Sequence, residues 1–424
     1  MKYQVFKFKS KKKDRAIVWI PLLQKLYTAP ISNYDLIPPY IIENQDDIKR
    51  EFNIRDEKKE NYQFNSATLF LTTKCNLQCV YCYEKSRPWT GENMKEEIAF
   101  AAIDYIVYWA TRKTKTSYLS FFGGEPTLAW PLLTESVEYY KKRNLESNCR
   151  YGIRITTNGN FSEKEANWLA ENIEGITISL DGMKNIHDKQ RNSSFDRVFY
   201  VSRLIYEIAP HKLSFRITIT RDSVNFLPEI CKFFGENFPR VILNFEPVEP
   251  CPGERYQIFT PSHNLFFKKF IESIPIAKLY ELRIRTSVSM ISVPHSRFCG
   301  IGESNFMVLP DGRVTACNRM LGNDEVSSIF IYGYYDERLK RFKFDDKKYN
   351  FLKKLNVDSI PDCENCIAKY SCCGDCPATK AVLLEDKGMR FYKMRSPYCE
   401  AIKEFTKELL EYVVDNGYKG LVLA

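Results

Sequence analysis

From Asn65 onward the chain alternates between two hydrophobic rhythms. Short apolar runs occupy 67–73 (ATLFLTT), 118–123 (YLSFFG), 152–158 (GIRITTN), 175–180 (GITISL), 213–219 (LSFRITI) and 241–247 (VILNFEP). Their length and β-branched, aromatic content predict strands. The segments between them, 94–112, 130–142, 162–172, 195–208 and 225–237, carry apolar residues at helical spacing. Strands alternating with helices imply a parallel sheet with right-handed crossovers. Six units are too few to close an eight-stranded barrel. The pattern therefore predicts an α/β fold, a partial (β/α)6 barrel with its chemistry at the C-terminal ends of the strands.

The flanks differ. In residues 1–62, YQVFKF, KKKD and RAIVWIP read as two strands joined by a charged turn, a small α+β extension. A Pro-containing stretch at 37–40 follows, then a charge run at 46–60 expected to be a solvated helix or linker. The barrel is assigned to 63–250 and a bridging segment, with a helix at 263–278, to 251–298. The cysteine-rich 299–399 is short of long periodic segments and needs metal to organise it. Residues 391–410 read as a closing helix, and 400–424 form a C-terminal helix and tail. No solenoid repeat or low-complexity tract is present.

Composition narrows the class. Hydrophobic residues make up 44% and charged residues 27% of 424 positions, as in a soluble globular protein. No apolar run reaches the roughly 18 residues that span a bilayer. The N-terminus lacks the apolar core of a signal peptide. A cytoplasmic protein without a membrane partner is expected. The net charge of +9 is modest for this length and reads as a solvated surface. A metal-stabilised nucleic-acid-binding module is the non-enzymatic alternative, but no aromatic motif on a basic stripe supports it.

The 14 cysteines change the picture. Three fall at Cys75, Cys79 and Cys82 and eight between Cys299 and Cys399, while Cys149, Cys231 and Cys251 stand alone as expected buried thiols. With only four histidines in the chain, the ligand sets are nearly all thiolate, which selects zinc or iron–sulfur clusters. Cys75-x3-Cys79-x2-Cys82 follows the first strand. Three thiolates can hold one face of a 4Fe–4S cubane and leave one iron open. Zinc with a distant fourth cysteine is the alternative.

In these residues the chain resembles the radical S-adenosylmethionine (radical SAM) enzymes. Their Cx3CxΦC loop, with Φ aromatic, is matched by Cys75–Cys82 with Tyr81 at Φ. FFGGEPTL (121–128), TTNG (156–159), SLDG (179–182) with His187 and Arg191 beyond it, and NFEPV (244–248) match at later strand ends. The likeness covers about 65–250. It implies that Cys75, Cys79 and Cys82 ligate the catalytic 4Fe–4S cluster. It implies that Gly123, Gly124 and Glu125 meet the amino group of SAM. Asn158, Ser179 and Asp181 would lie near the ribose or sulfonium, and Arg191 would pair the SAM carboxylate. Glycines allow close backbone approach and a glutamate accepts from an ammonium.

The C-terminal pattern is Cys299-x12-Gly312-x4-Cys317, then Cys363-x2-Cys366-x5-Cys372-x3-Cys376, then Cys399. Segments 306–309 and 314–316, joined by Pro310-Asp311-Gly312-Arg313, read as a hairpin bringing Cys299 and Cys317 together. Thiolate-rich zinc is again the alternative. The pattern resembles the SPASM extension of radical SAM enzymes, which implies two auxiliary 4Fe–4S clusters, three clusters in all. By that resemblance Cys363, Cys366, Cys372 and Cys399 hold one, and Cys299, Cys317 and Cys376 hold the other. Seven cysteines for two clusters leave one iron open unless Cys251, Cys373 or His295 fills it.

SPASM enzymes mostly modify peptides, so the resemblance implies SAM, a precursor peptide with a leader, and a reductant such as flavodoxin or ferredoxin. The sulfatase-maturase branch makes formylglycine and carries an acidic base after the cysteine equivalent to Cys317. Here that residue is Asn318, which cannot accept a proton. That branch also carries an Arg pair where this chain has Pro377-Ala378. The peptide-maturase branch, which forms thioether or carbon–carbon crosslinks, is the closer likeness. Thioether formation is favoured, with formylglycine formation and epimerisation as alternatives. Residues 1–62 could add a leader strand to an exposed sheet edge, or form a packing flap over the barrel.

Overall fold

The computed structural model describes residues 2–11, 13–42, 62–86, 92–250, 258–289, 291–322, 324–384, 396–418 and 420–421. The charge run 46–60 and Cys251 lie outside these residues, as does the start of the helix expected at 391–410.

The N-terminal extension contains β1 (Lys2–Gln4), β2 (Phe6–Lys9), β3 (Arg15–Ile20), β4 (Lys25–Pro30) and β5 (Tyr40–Ile42). β2, β3 and β4 form an antiparallel sheet with β3 in the centre, and β1 pairs with β5. The sequence suggested two strands. The third, KLYTAP, follows the left-handed turn at Gln24. The sheet packs toward the C-terminal region: Trp19 Nε1 donates to Ile367 O at 3.2 Å, and Lys13 and Ser10 bind Asp415 and Glu411 of the last helix.

The six barrel strands are β6 (Ser66–Phe70), β7 (Thr116–Phe122), β8 (Arg150–Thr157), β9 (Gly175–Ser179), β10 (Leu213–Ile219) and β11 (Ile242–Pro247). They are parallel and adjacent in chain order. A seventh, β12 (Arg283–Arg285), extends the run beside β11. Alternation decides which side chains face out. Leu119, Phe121, Ile153, Ile155, Ile217 and Leu243 are buried under the helices. Thr68, Ser120, Arg154, Thr177, Arg216 and Asn244 belong to the opposite face. Helices Glu96–Arg112, Trp130–Glu146, Glu163–Asn172, Phe195–Ile208 and Leu227–Asn237 fall where expected. Ser162 starts one with a full capping box. A short helix, Lys184–Gln190, had no periodic signal.

The cysteine-rich region is joined to the barrel by backbone. β13 (Met307–Val308) pairs in parallel with β6, and Thr68 N donates to Phe306 O at 3.0 Å. β13 and β14 (Arg313–Thr315) form the expected hairpin, with Gly312 at φ +83° in its turn. An antiparallel meander, β15 (Ile331–Asp336) and β16 (Arg341–Phe344), completes a sheet of eleven strands. Phe64 stacks on Phe306 at 5.3 Å, inside an aromatic cluster with Tyr105, Tyr332, Phe344 and Tyr349. No helix among the described residues is long and apolar enough to cross a membrane.

Candidate active site

The loop after β6 carries Cys75, Cys79 and Cys82 and rests on the GGEP loop after β7. Gly124 N donates to Thr72 O at 3.0 Å and Glu125 N to Lys74 O at 2.8 Å. A Cβ on Gly124 would lie 2.3 Å from Lys74 O, and one on Gly123 2.6 Å from Thr72 O. Both glycines are therefore required by the close approach of the two backbones.

The other side of the cysteine loop is hooked to the segment after β9. Val80 N donates to Gln190 O at 3.0 Å, and Tyr81 Oη donates to Asp181 Oδ2 at 2.5 Å. Asp181 also accepts from Arg191 Nε (2.8 Å), Arg191 Nη2 (3.3 Å), Gln190 Nε2 (2.8 Å) and Thr218 N (2.9 Å). Burial alone would push its carboxyl up, but the Arg191 guanidinium holds it below the usual range. Arg191 reaches toward Cys79 Sγ at 3.9 Å. His187 is buried, and burial lowers its imidazole to about 4. Its Nδ1 accepts from Asp181 N, so Nε2–H donates to Ser194 Oγ, which in turn donates to Arg191 O at 2.8 Å.

A cavity of about 650 Å³ opens at this end of the strands. Cys75, Cys79 and Cys82 line it with Tyr81, Gly123, Gly124, Asn158, Ser179 and Arg191. Asn158 Nδ2 lies 3.7 Å from Cys75 Sγ. Two expected ligand contacts sit elsewhere. Asp181 is fully buried behind Tyr81 and Arg191. Glu125 is also fully buried. Its oxygens accept from Thr127 N (3.1 Å), Thr127 Oγ1 (2.8 Å), Thr157 Oγ1 (2.7 Å) and Asn158 N (2.7 Å). Neither residue lines the cavity, and both tie strand-end loops together.

The opposite wall comes from the C-terminal region. Cys299, Cys317 and Cys376 line the same cavity, with Asn318 and Arg319. Arg319 joins the two halves: Nη1 donates to Thr379 Oγ1 at 2.9 Å and Nη2 donates to Glu249 O at 3.1 Å, beyond β11. Cys363, Cys366, Cys372 and Cys399 line a separate cavity of about 310 Å³. Cys373 lines neither. Its Sγ donates to His295 O at 3.2 Å, although it is near enough to Cys299 to help raise that thiol. Cys149 and Cys231 are buried alone, as expected.

Residues 69–232 match the Radical SAM superfamily. The chain carries a radical SAM domain. A cysteine-type anaerobic sulfatase-maturating enzyme of Clostridium perfringens is 23% identical over 357 residues, covering 78% of this chain and 92% of the relative. Two solved structures share the fold. The structure of native anSMEcpe with bound AdoMet and Cp18Cys peptide has a TM-score of 0.66 and 20% identity, over 83% of this chain and 98% of that one. Streptococcus suis SuiB bound to precursor peptide SuiA has a TM-score of 0.58 and 13% identity, over 94% and 100%.

A radical SAM enzyme binds SAM and a 4Fe–4S cluster, and the donors at the barrel mouth fit them. Among the described residues no three His, Cys, Asp or Glu side chains gather around a point that would hold a single metal ion. Cys75, Cys79 and Cys82 line one cavity together, and a set of three thiolates suits a 4Fe–4S cluster with one open iron. Burial pushes Cys75 up to about 11 and Cys82 up to about 12, with the neighbouring Cys79 adding to each shift. Unloaded thiols are thus protonated, and ligation releases their protons.

The structure adds cavity residues that carry little signal in the sequence. Arg216 and Glu246 form part of the floor, with Ser287 donating to Glu246 Oε1 at 2.8 Å. Glu246 lies inside the NFEPV motif. Arg216 could have been found from its inward position on the fifth strand. His263 and Glu249 have only their place at a helix start and a strand end.

Proposed function

We propose that this radical SAM enzyme acts on a peptide and joins a cysteine sulfur to a carbon as a thioether. The observation that carries the reading is the single cavity with Cys75, Cys79 and Cys82 on one wall and Cys299, Cys317 and Cys376 on the other. Supporting it, the anSMEcpe and SuiB structures carry bound peptides by their descriptions.

The first set of cysteines would hold the SAM-binding cluster, and Cys363, Cys366, Cys372 and Cys399 a fully ligated auxiliary one. Cys299, Cys317 and Cys376 would hold a third with an open position. When bound, these groups supply the electron that cleaves SAM to methionine and a 5′-deoxyadenosyl radical, and an acceptor for the electron released on bond formation. The chain's own residues do the rest. Tyr81, Asp181 and Arg191 fix the cysteine loop, and Arg191 offers its guanidinium to the SAM carboxylate. The walls hold a peptide thiol opposite the SAM end and exclude water. Residues 1–62 would receive the leader, and a small flavoprotein or ferredoxin would be the reductant.

Formylglycine formation has comparable support, because the curated relative is a sulfatase-maturating enzyme. Asn318, in place of an acid, argues against it. Anaerobic incubation with SAM, a reductant and a cysteine-containing precursor peptide separates the two. Thioether formation removes two hydrogens from the peptide and leaves its sulfur in place. Formylglycine formation from cysteine removes the sulfur. The Cys75, Cys79 and Cys82 triple alanine variant should form neither product nor 5′-deoxyadenosine.

A further inference from the structure

The cavity holds an ionisable pair outside the machinery described so far. His263 is the first residue of the helix His263–Leu279, and Glu249 lies in the loop after β11. Both line the cavity shared by the two cysteine walls. His263 Nε2 lies 2.7 Å from Glu249 Oε1, with both side chains less than one-fifth exposed. Tyr398 packs edge-on against the imidazole at 5.0 Å, and Phe267 of the same helix flanks it. The Glu249 loop is held in turn by Arg319, whose Nη2 donates to the carbonyls of Glu249 and Pro250.

This arrangement fixes a tautomer. A carboxylate only accepts, so the neutral ring carries its proton on Nε2, toward Glu249. Nδ1 is then the basic nitrogen, and among the described residues it has no hydrogen-bond partner. A carboxylate-oriented imidazole is the arrangement of a general base. Two other acids of the cavity, Glu246 and Asp375, are less suited. Glu246 is held by Ser287 and faced by Arg216 and Arg285, and Asp375 Oδ1 accepts from Cys376 N at 2.6 Å. Asn318 cannot take a proton.

We propose that His263 is the proton acceptor of this enzyme and that Glu249 is its positioning residue. The proposal rests on the reading that a peptide thiol enters this cavity. The S–H bond breaks, its electron pair stays on sulfur, and the proton passes to Nδ1. The imidazolium that forms is stabilised by the Glu249 carboxylate. No oxidant enters this step.

Two measurements test it. In the unloaded full chain, nitrogen NMR of labelled histidines has four rings to assign, two nitrogens each, and His263→Gln identifies the relevant pair. The neutral ring should carry its proton on Nε2, and Glu249→Gln should erase that preference. A wild-type ring protonated on Nδ1 overturns the proposal. In the loaded enzyme with a cysteine peptide, His263→Gln should form 5′-deoxyadenosine as the wild type does, while thioether or formylglycine product falls about 10²-fold. Undiminished product, or equal loss of deoxyadenosine and product in a folded variant, overturns it. A wild type that makes neither product overturns the functional reading instead, and with it the proposed source of the proton.

Discussion

The pair Asp181 and Arg191 stands on His187, and this makes the barrel mouth sensitive to acid in a calculable way. His187 is buried, and burial lowers its imidazole from the usual 6.5 to about 4. The unfolded chain therefore binds a proton more readily than the folded one between these values. The stability it contributes is fully present above the unfolded value and is lost as pH falls toward the folded one. The whole difference is about 3 kcal/mol. Between about pH 7 and about pH 5 the loss is about 2 kcal/mol. Asp181 is held below its ordinary 3.8 and does not titrate in this window. Urea unfolding of the wild type and of His187→Gln at several pH values isolates the effect. The variant starts less stable, and its deficit should shrink by about 2 kcal/mol on going to about pH 5. Parallel pH curves for the two proteins would refute the neutral, buried imidazole and the bond order drawn through Ser194.

Two further outcomes follow from the site geometry. Glu125→Ala leaves two hydroxyls and two backbone amides without their acceptor, so it should destabilise the protein by about 3 kcal/mol or more in denaturant unfolding. Unchanged stability with weakened SAM binding would instead return Glu125 to the ligand. Cys373→Ala should keep its iron and its electron paramagnetic resonance signals after reconstitution, because that thiol donates to His295 O and lines neither cavity. Loss of iron would make Cys373 the missing ligand and close the open position.

The barrel was legible because short apolar, β-rich runs alternate with helical stretches and five of the six runs end in a chemically distinctive loop. The division of the C-terminal cysteines came from the resemblance to the SPASM extension, and Cys363, Cys366, Cys372 and Cys399 line one cavity. What stayed hidden was direction. SLDG and GGEP signal functional loops, but whether Asp181 and Glu125 face a ligand or their own neighbours depends on donors far along the chain, such as Arg191, Thr157 and Thr218. The strands β15 and β16 were missed because their Tyr332 and Phe344 pack on the distant Phe64 and Tyr105. Their register has no local turn signature. His263 was read only as the start of a helix, since its partner lies 14 residues upstream.

The parallel pairing of β13 with β6 bears on attempts to dissect the protein. A truncation before Cys299 removes β13 and turns β6 into an edge strand. Its backbone loses a partner such as the Phe306 carbonyl, and the SATLF segment behind the cysteine loop becomes open to addition by another chain. Ala67, Leu69 and Phe70 of that segment are almost wholly buried in the intact sheet. An isolated barrel would therefore aggregate through the strand that carries the SAM-cluster loop. Shortened versions meant to keep SAM cleavage should retain the chain at least through β14.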